Sequence, residues 1–329
     1  MYHVLLYYHY TRINDVEKEV NDHRAFCKER GIFGRVYFTE EGVNGTVSGT
    51  QEAIEDYKKM MENHLLYQGI TFKESTADEH AFHYLRIKYK KELVNLSLED
   101  DVDPKVITGH YLKPEEFVDY IDDPNTVIID ARNDYESKMG YFKGALRPRI
   151  RTFRQLPNWV REHKEELEGK TIVAYCTGGV RCEKFTGWLK KEGFNDVHQL
   201  HGGIQTYGDS NQTLGKYWEG TMYVFDDRIS VPINKVEPTI VGKDQYTGEP
   251  CNRMFNCGNP QCNEQVFGSE KNQHEHLSGC SLYCSMHPEN RYIMNLDPEE
   301  VLDLKEKLRQ KYSTKDIPRP IHNALQSFY

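Results

Sequence analysis

The sequence predicts a multidomain protein of mixed α/β and α+β class: a small α+β sandwich, then a parallel-sheet domain, then a cysteine-rich segment. Three observations predict it. The 329 residues exceed the usual span of one hydrophobic core. The first ninety residues alternate half-apolar strands with two helical patterns, whereas residues 113–228 place short, continuously apolar strands between helices, as sheets covered on both faces do. Five of the eight cysteines crowd residues 251–284.

Composition excludes several classes. Hydrophobic residues make up 38%, with 22 Tyr and 14 Phe, enough to bury a core in each domain, so global disorder is excluded. No stretch approaches the roughly 20 apolar residues of a membrane span, and the mean hydropathy of −0.75 agrees. The start, MYHVLLYYHYTR, has neither the basic segment nor the small-residue cleavage site of a secretory signal. Eight cysteines without such a signal fit a reducing, cytoplasmic setting, as thiols or metal ligands. A net charge of −9 argues against wholesale coating of nucleic acid and leaves room for a local basic face.

Domain by domain, residues 1–93 read as strand (4–10), helix (15–30, stopped by Gly31), strand (35–38), a tight glycine-bearing connection EEGVNGTVSGT into another strand, a helix capped by Thr50, and strands at 70–73 and 85–89. That order is ferredoxin-like or acylphosphatase-like. Residues 94–112, acidic and proline-containing, read as a linker. The next domain, 113–228, has helices at 113–122, 157–167 and 182–192 around strands TVIID, TIVAY and VHQL. Residues 229–312 hold the cysteine cluster and a capped helix at 297–311, and 313–329 read as a flexible tail.

At the end of the TIVAY strand stands CTGGVRC, entering a helix. Open parallel sheets place their ligands at such strand ends. Gly178 and Gly179 let the backbone curl so that amides point at the Cys176 sulfur, Arg181 adds positive charge, and the helix contributes its positive end. A lowered thiol pKa is expected. Cys182 suits either a packed thiol at the helix start or a resolving partner.

These residues resemble the rhodanese family. Cys176, Thr177, Gly178, Gly179, Val180 and Arg181 match its six-residue loop, and Asp130, Arg132, Glu136, Gly140, Gly144 and Ala145 match its upstream signature within DARNDYESKMGYFKGA. Tyr141 stands where that family has histidine. LHGGIQTY resembles the closing motif, and KPEEF the opening helix. Related phosphatases use CxxxxxR around a phosphate; the CxxxxR here is one residue shorter and sized for sulfur.

Over residues 1–312 the chain resembles a narrower family, the oxygen-dependent tRNA uridine hydroxylases (UPF0176-type), through EEGVNGTVSG, CTGGVRCEK, YVFDDR, CGNPQCN and SMHPENRY. The resemblance implies an acylphosphatase-like domain before the rhodanese domain, and an oxidoreductase that hydroxylates C5 of the wobble uridine in the tRNA anticodon loop, with molecular oxygen as cosubstrate. Five cations without an acid, Lys143, Arg147, Arg149, Arg151 and Arg154, could grip RNA phosphates, and Arg86, Lys88, Lys90 and Lys91 form a second basic stretch. The course expected is addition of the Cys176 thiolate to C6 of uridine, attack of C5 on oxygen, and loss of the cysteine, with Arg181 and the loop amides as stabilisers. A persulfide or sulfenate on Cys176 is a variant.

Two other readings use the same residues: a rhodanese-type sulfurtransferase with a Cys176 persulfide, and a noncatalytic RNA or protein binder. No flavin or NAD site is expected, since GxGxxG is absent, and the one HxE pair, His163 with Glu165, belongs to a charged helix face. Oligomeric state is not legible. In the last domain, Cys257, Cys262, Cys280 and Cys284 suit either structural zinc or unligated thiols, with Cys251 left over and His274, His276 and His287 nearby.

Overall fold

The computed structural model describes residues 1–312; the tail expected at 313–329 lies outside the described residues. The chain divides into two compact units, one ending at Thr239 and one beginning at Ile240.

The first unit opens with β1 (Tyr2–Tyr10), α1 (Val16–Glu29), β2 (Phe33–Thr39), β3 (Gly42–Gly49), α2 (Gln51–Asn63), β4 (Thr71–Ala77) and β5 (Leu85–Tyr89). The sheet order is β4-β1-β3-β2-β5, antiparallel except for β2 with β5. Asp15 caps α1 by accepting from the Lys18 amide at 3.0 Å, and Thr50 caps α2 through the Ala53 amide at 3.3 Å. Both helices cover one sheet face, where Val20, Cys27, Ile54 and Met61 bury against Leu5, Tyr7, Val36, Phe38, Val43 and Val47. Gly45 is required there: a Cβ would fall 2.5 Å from the Tyr7 hydroxyl. The opposite face carries Leu6, Tyr8, Arg35, Tyr37, Asn44 and Thr46 by strand alternation.

Then come β6 (His110–Leu112), α3 (Pro114–Ile121), β7 (Thr126–Asp130), α4 (Asp134–Ser137), β8 (Gly140–Phe142), α5 (Leu156–Glu162), α6 (Lys164–Leu167), β9 (Thr171–Tyr175), α7 (Val180–Lys191), β10 (Val197–Leu200), α8 (Gly203–Asp209), β11 (Trp218–Tyr223) and β12 (Ser230–Pro232). The parallel sheet runs β6-β10-β9-β7. Alternate residues of β9 feed two cores, Ile172 and Ala174 beneath α7, Val173 and Tyr175 beside Phe117 and Tyr207. That is why TIVAY reads as one apolar run.

Three details differ from the sequence reading. The stretch 94–112 is packed, not loose: Val94, Leu96 and Val102 join the core under α7, residues 110–112 pair as β6, and Asp101 binds the buried Lys184 at 2.8 Å, which also meets Glu41 at 2.7 Å. Its acid content masked a small apolar set. The helix expected at 157–167 breaks at His163, whose ring stacks on Trp159 at 4.3 Å and bonds the Trp159 carbonyl at 2.8 Å. β8, β11 and β12 form an antiparallel sheet whose short strands carry little periodicity.

The second unit holds β13 (Met254–Asn256) paired antiparallel with β14 (Gln265–Phe267), then α9 (Glu270–Glu275), α10 (Leu282–Met286) and α11 (Pro298–Lys311). Its two small cores, one of Phe255, Val266, Cys257 and Cys284, the other of Leu277, Leu304 and Leu308, bury little apolar surface.

Candidate functional site

Cys176 follows the last residue of β9 and precedes α7. Gly179 makes the turn with φ +102, a conformation that disfavours any side chain, and its amide donates to the Cys176 Sγ at 3.2 Å. The loop is held from behind by the start of α8. The Ile204 amide donates to the Cys176 carbonyl at 3.0 Å and the Gln205 amide to the Thr177 carbonyl at 3.1 Å, while a Cβ on Gly203 would lie 2.4 Å from that Cys176 oxygen. The double glycine of LHGGIQTY thus serves the loop 27 residues upstream.

Cys176 has no exposed surface of its own, although it borders a cavity. Burial by itself would raise its pKa. The Cys182 thiol, the Arg181 charge and the amides of Cys182 and Arg181 outweigh burial and bring the thiol down to about 5. Cys182 moves the other way, raised by burial and by its hydrogen bond to the neighbouring anion. At neutral pH the pair therefore holds one thiolate and one thiol. Arg181 sits on Glu136 through bonds of 2.6 and 2.7 Å and reaches Thr177 Oγ1 at 3.2 Å. Its guanidinium is thus fixed, and acts on the sulfur as a charge held in place. Asp130, Arg132 and Tyr175 form a second buried network beneath, with Arg132 to Asp130 at 2.6 and 2.8 Å and the Tyr175 hydroxyl to Asp130 at 2.8 Å.

The first domain covers this loop. Leu6 and Tyr8 approach Gly178 and Gly179, the Tyr10 hydroxyl donates to the Val180 carbonyl at 3.2 Å, and the Tyr8 hydroxyl donates to Glu183 at 2.8 Å. Glu183 also accepts from Tyr111 at 2.8 Å and from Gln199 at 3.3 Å. Lys73 lies over the Tyr8 ring at 5.1 Å, its pKa lowered to about 8 by burial and partly restored by Cys176 and Glu183.

Between sheet and loop lies a cavity of about 610 Å³, within the range of small-molecule sites. Cys176, Thr177, Gly178, Val180 and Arg181 form one wall; Tyr8, Arg35, Tyr37, Asn44 and Thr46 line the other; Lys90, Lys91, Glu92 and Phe225 are among the residues at its rim. Gly179 supports the loop and Cys182 packs behind it. Lys143, Arg147, Arg149, Arg151 and Arg154 are all exposed. Arg154 borders a smaller adjoining cavity with Arg181, Asn133 and Thr152, and Arg147 stacks over Tyr141 at 3.8 Å. Sequence reasoning did not single out Arg35, Tyr37 and Asn44. The signal that could have found Asn44 was EEGVNGTVSG, whose glycines are explained by packing but whose half-buried Asn44 is not.

In the second unit the Sγ atoms of Cys257, Cys262, Cys280 and Cys284 all lie within 4.8 Å of one another, with Cys262 to Cys280 at 3.5 Å and Cys280 to Cys284 at 3.6 Å. A tetrahedral Zn–S₄ centre requires S···S separations of about 3.8 Å, so the donor set and spacing fit that ion. Cys251 stays outside, bonding the Arg253 carbonyl at 3.5 Å, while His276 stacks on Tyr246 and His274 meets Glu300.

A thiolate at the end of a parallel strand, inside a loop of amides braced by an arginine–glutamate pair, defines a rhodanese-type cysteine protein. Residues 113–210 match the rhodanese-like domain, 2–93 the UPF0176 acylphosphatase like domain and 219–285 the rhodanase C-terminal description. The tRNA uridine(34) hydroxylase of Bacillus licheniformis is 51% identical over 312 residues, spanning 94% of this chain and 97% of that protein. That of Acholeplasma laidlawii is 54% identical over 303 residues, 92% of this chain and 95% of its own, and that of Enterococcus faecalis 54% over 304, 92% and 96%. The chain belongs to the tRNA uridine(34) hydroxylase family.

Proposed function

We propose that this protein is a cytoplasmic oxidoreductase that hydroxylates C5 of the wobble uridine in the tRNA anticodon loop with molecular oxygen, using Cys176 as the nucleophile. The observation that carries the residue assignment is the setting of the Cys176 sulfur: cradled by amides, beside the Arg181 charge that helps to lower its pKa to about 5, and bordering a cavity that Arg35, Lys90 and Lys91 also line. The thiolate adds to C6 of the uracil, which places carbanion character on C5. C5 takes up oxygen as a hydroperoxide. A thiol reductant then supplies two electrons and two protons, one oxygen leaves as water, and a disulfide forms. Loss of the C5 proton and of the cysteine from C6 restores the ring as 5-hydroxyuridine. Arg181 and the loop amides stabilise the anionic stages.

An anticodon loop presents its bases unpaired, so the wobble base enters at little unstacking cost. The exposed cations Lys143, Arg147, Arg149, Arg151 and Arg154 would hold phosphates, with Arg154 leading toward Arg181. Cys257, Cys262, Cys280 and Cys284 would bind a structural zinc, stapling a unit whose own cores are small.

The test is nucleoside mass spectrometry of tRNA from cells lacking the protein, complemented by wild type or Cys176→Ser. Loss of 5-hydroxyuridine derivatives, restored by wild type alone, is expected, as is trapping of a Cys176 adduct with 5-fluorouridine-containing tRNA. Unchanged 5-hydroxyuridine, together with thiocyanate formation from thiosulfate and cyanide, would replace this reading with a sulfurtransferase.

A further inference from the structure

The sheet face that covers the Cys176 loop is ordered in two cross-strand rows. One row runs Tyr8, Asn44, Tyr37, Lys88 and the other Leu6, Thr46, Arg35, Arg86, each from β1 through β3 and β2 to β5. With strands about 4.8 Å apart, a row covers about 14 Å from the loop to the edge strand. Apolar and aromatic groups therefore lie beside the sulfur and cations at the far end, the order in which a nucleotide presents base and then phosphate to a sulfur-side pocket.

Asn44 is the residue this face does not explain structurally. Asparagine is disfavoured inside strands, and Asn44 sits mid-strand, half-buried, lining the cavity one strand from Tyr8. Among the described residues its side-chain amide has no hydrogen-bond partner, and Arg35 on the neighbouring strand has no ion pair. An unpaired amide half-buried in a cavity carries a desolvation cost that a bound polar ligand relieves. An asparagine side chain offers one acceptor and a donor side by side. The Watson–Crick edge of uracil offers N3–H and O4 in matching order.

Resting on the function proposed above, we infer that Asn44 reads the target base, its oxygen accepting from uracil N3–H and its NH₂ donating to O4, while Arg35, Arg86 and Lys88 hold the flanking phosphates. The first domain is thus the nucleotide-recognition wall, and the rhodanese domain supplies the reacting sulfur.

The experiment compares binding and turnover of anticodon stem-loops carrying wobble uridine or N3-methyluridine, with full-length wild type and Asn44→Ala, as a double-mutant cycle. For wild type, methylation should cost roughly tenfold in affinity, and Asn44→Ala should lose a similar factor on uridine while becoming nearly indifferent to the methyl group. Full retention of the methylation penalty in Asn44→Ala, or in Asn44→Ser should the alanine variant fail to fold, overturns the assignment, as does a wild type indifferent to methylation. Arg86→Ala should weaken both loops equally and reduce the slope of log affinity against log salt by about 0.7; an unchanged slope overturns the phosphate role. A wild type that neither binds nor modifies the uridine loop overturns instead the function on which the inference rests.

Discussion

Arg181 and Glu136 meet through two parallel hydrogen bonds, Nη1 to Oε1 at 2.6 Å and Nη2 to Oε2 at 2.7 Å, with the carboxylate wholly buried and the guanidinium 11% exposed. This contact joins α7 to α4 and fixes the charge that faces Cys176. Glu136→Gln keeps the shape and removes the anion, leaving Arg181 nearly buried with the Cys176 thiolate in place of its hydrogen-bonded counter-charge. A loss of roughly 3 kcal/mol is expected from the denaturant midpoint. Although burial opposes ionisation of Glu136, Arg181 holds its pKa below the ordinary value. Its contribution is therefore present above the unfolded carboxylate range and lost as pH falls through the folded pKa, so wild type and variant should converge in acid.

The Cys176 thiolate should be visible spectroscopically. Ultraviolet thiolate absorbance of wild type minus Cys176→Ala should rise with a midpoint near pH 5, against about 8.5 for a free thiol. Between these values the unfolded chain binds the extra proton. Stability from Cys176 is therefore complete above about pH 8.5, declines as pH falls through that window, and is gone below pH 5. A difference midpoint near 8.5 would remove the activated thiolate.

Gly203→Ala should damage the loop more than the fold. Gly203 has φ +68, and an added Cβ would press to 2.4 Å from the Cys176 carbonyl and 2.7 Å from that of Thr177. Stability should fall by about 1–3 kcal/mol and turnover by at least tenfold. Gly169→Ala is the control: φ is +75 but nothing lies within 4 Å, so it should lose stability and keep turnover. Equal turnover in the two variants would show that contact behind the loop is unimportant.

Zinc should be found at one ion per chain by elemental analysis, and be lost in Cys262→Ser and Cys284→Ser but not in Cys251→Ser. Chelation should lower the melting temperature of the 240–312 unit, since its small apolar cores give it little else to stand on. Metal-free protein with unchanged melting would leave four free thiols.

Arg149→Ala with Arg154→Ala should weaken tRNA binding without altering base preference. Two lost phosphate contacts on a single-stranded loop lower the salt slope by about 1.4. Fluorescence anisotropy at several salt concentrations measures it; an unchanged slope would make these arginines a solvated surface.

The sequence was legible where neighbouring residues carry the cause. CTGGVR states its own chemistry, because the amides and glycines that hold the sulfur follow it directly in the chain. TIVAY announced a doubly covered strand, and Thr50 and Asp15 announced helix starts. The packed stretch 94–112 was hidden because a run of acids and a proline interrupts the scattered apolar residues that decide its placement, and the break at His163 depends on stacking against Trp159, which helical periodicity does not express.

By itself, then, the sequence determined the α+β and parallel-sheet classes of the first unit's two domains, the strand-end loop that holds Cys176 and the four thiols that cluster in the second unit, all of them legible in local spacing and periodicity. Only the tertiary structure decided what faces that sulfur. The pairing of Arg181 with Glu136, the backing of the loop by Gly203, and the presentation of Asn44 and Arg35 across the cavity each join residues dozens to more than a hundred positions apart. Such neighbours are set by strand register and domain packing, which bury apolar faces of the whole unit at once and leave no trace in any short stretch of chain.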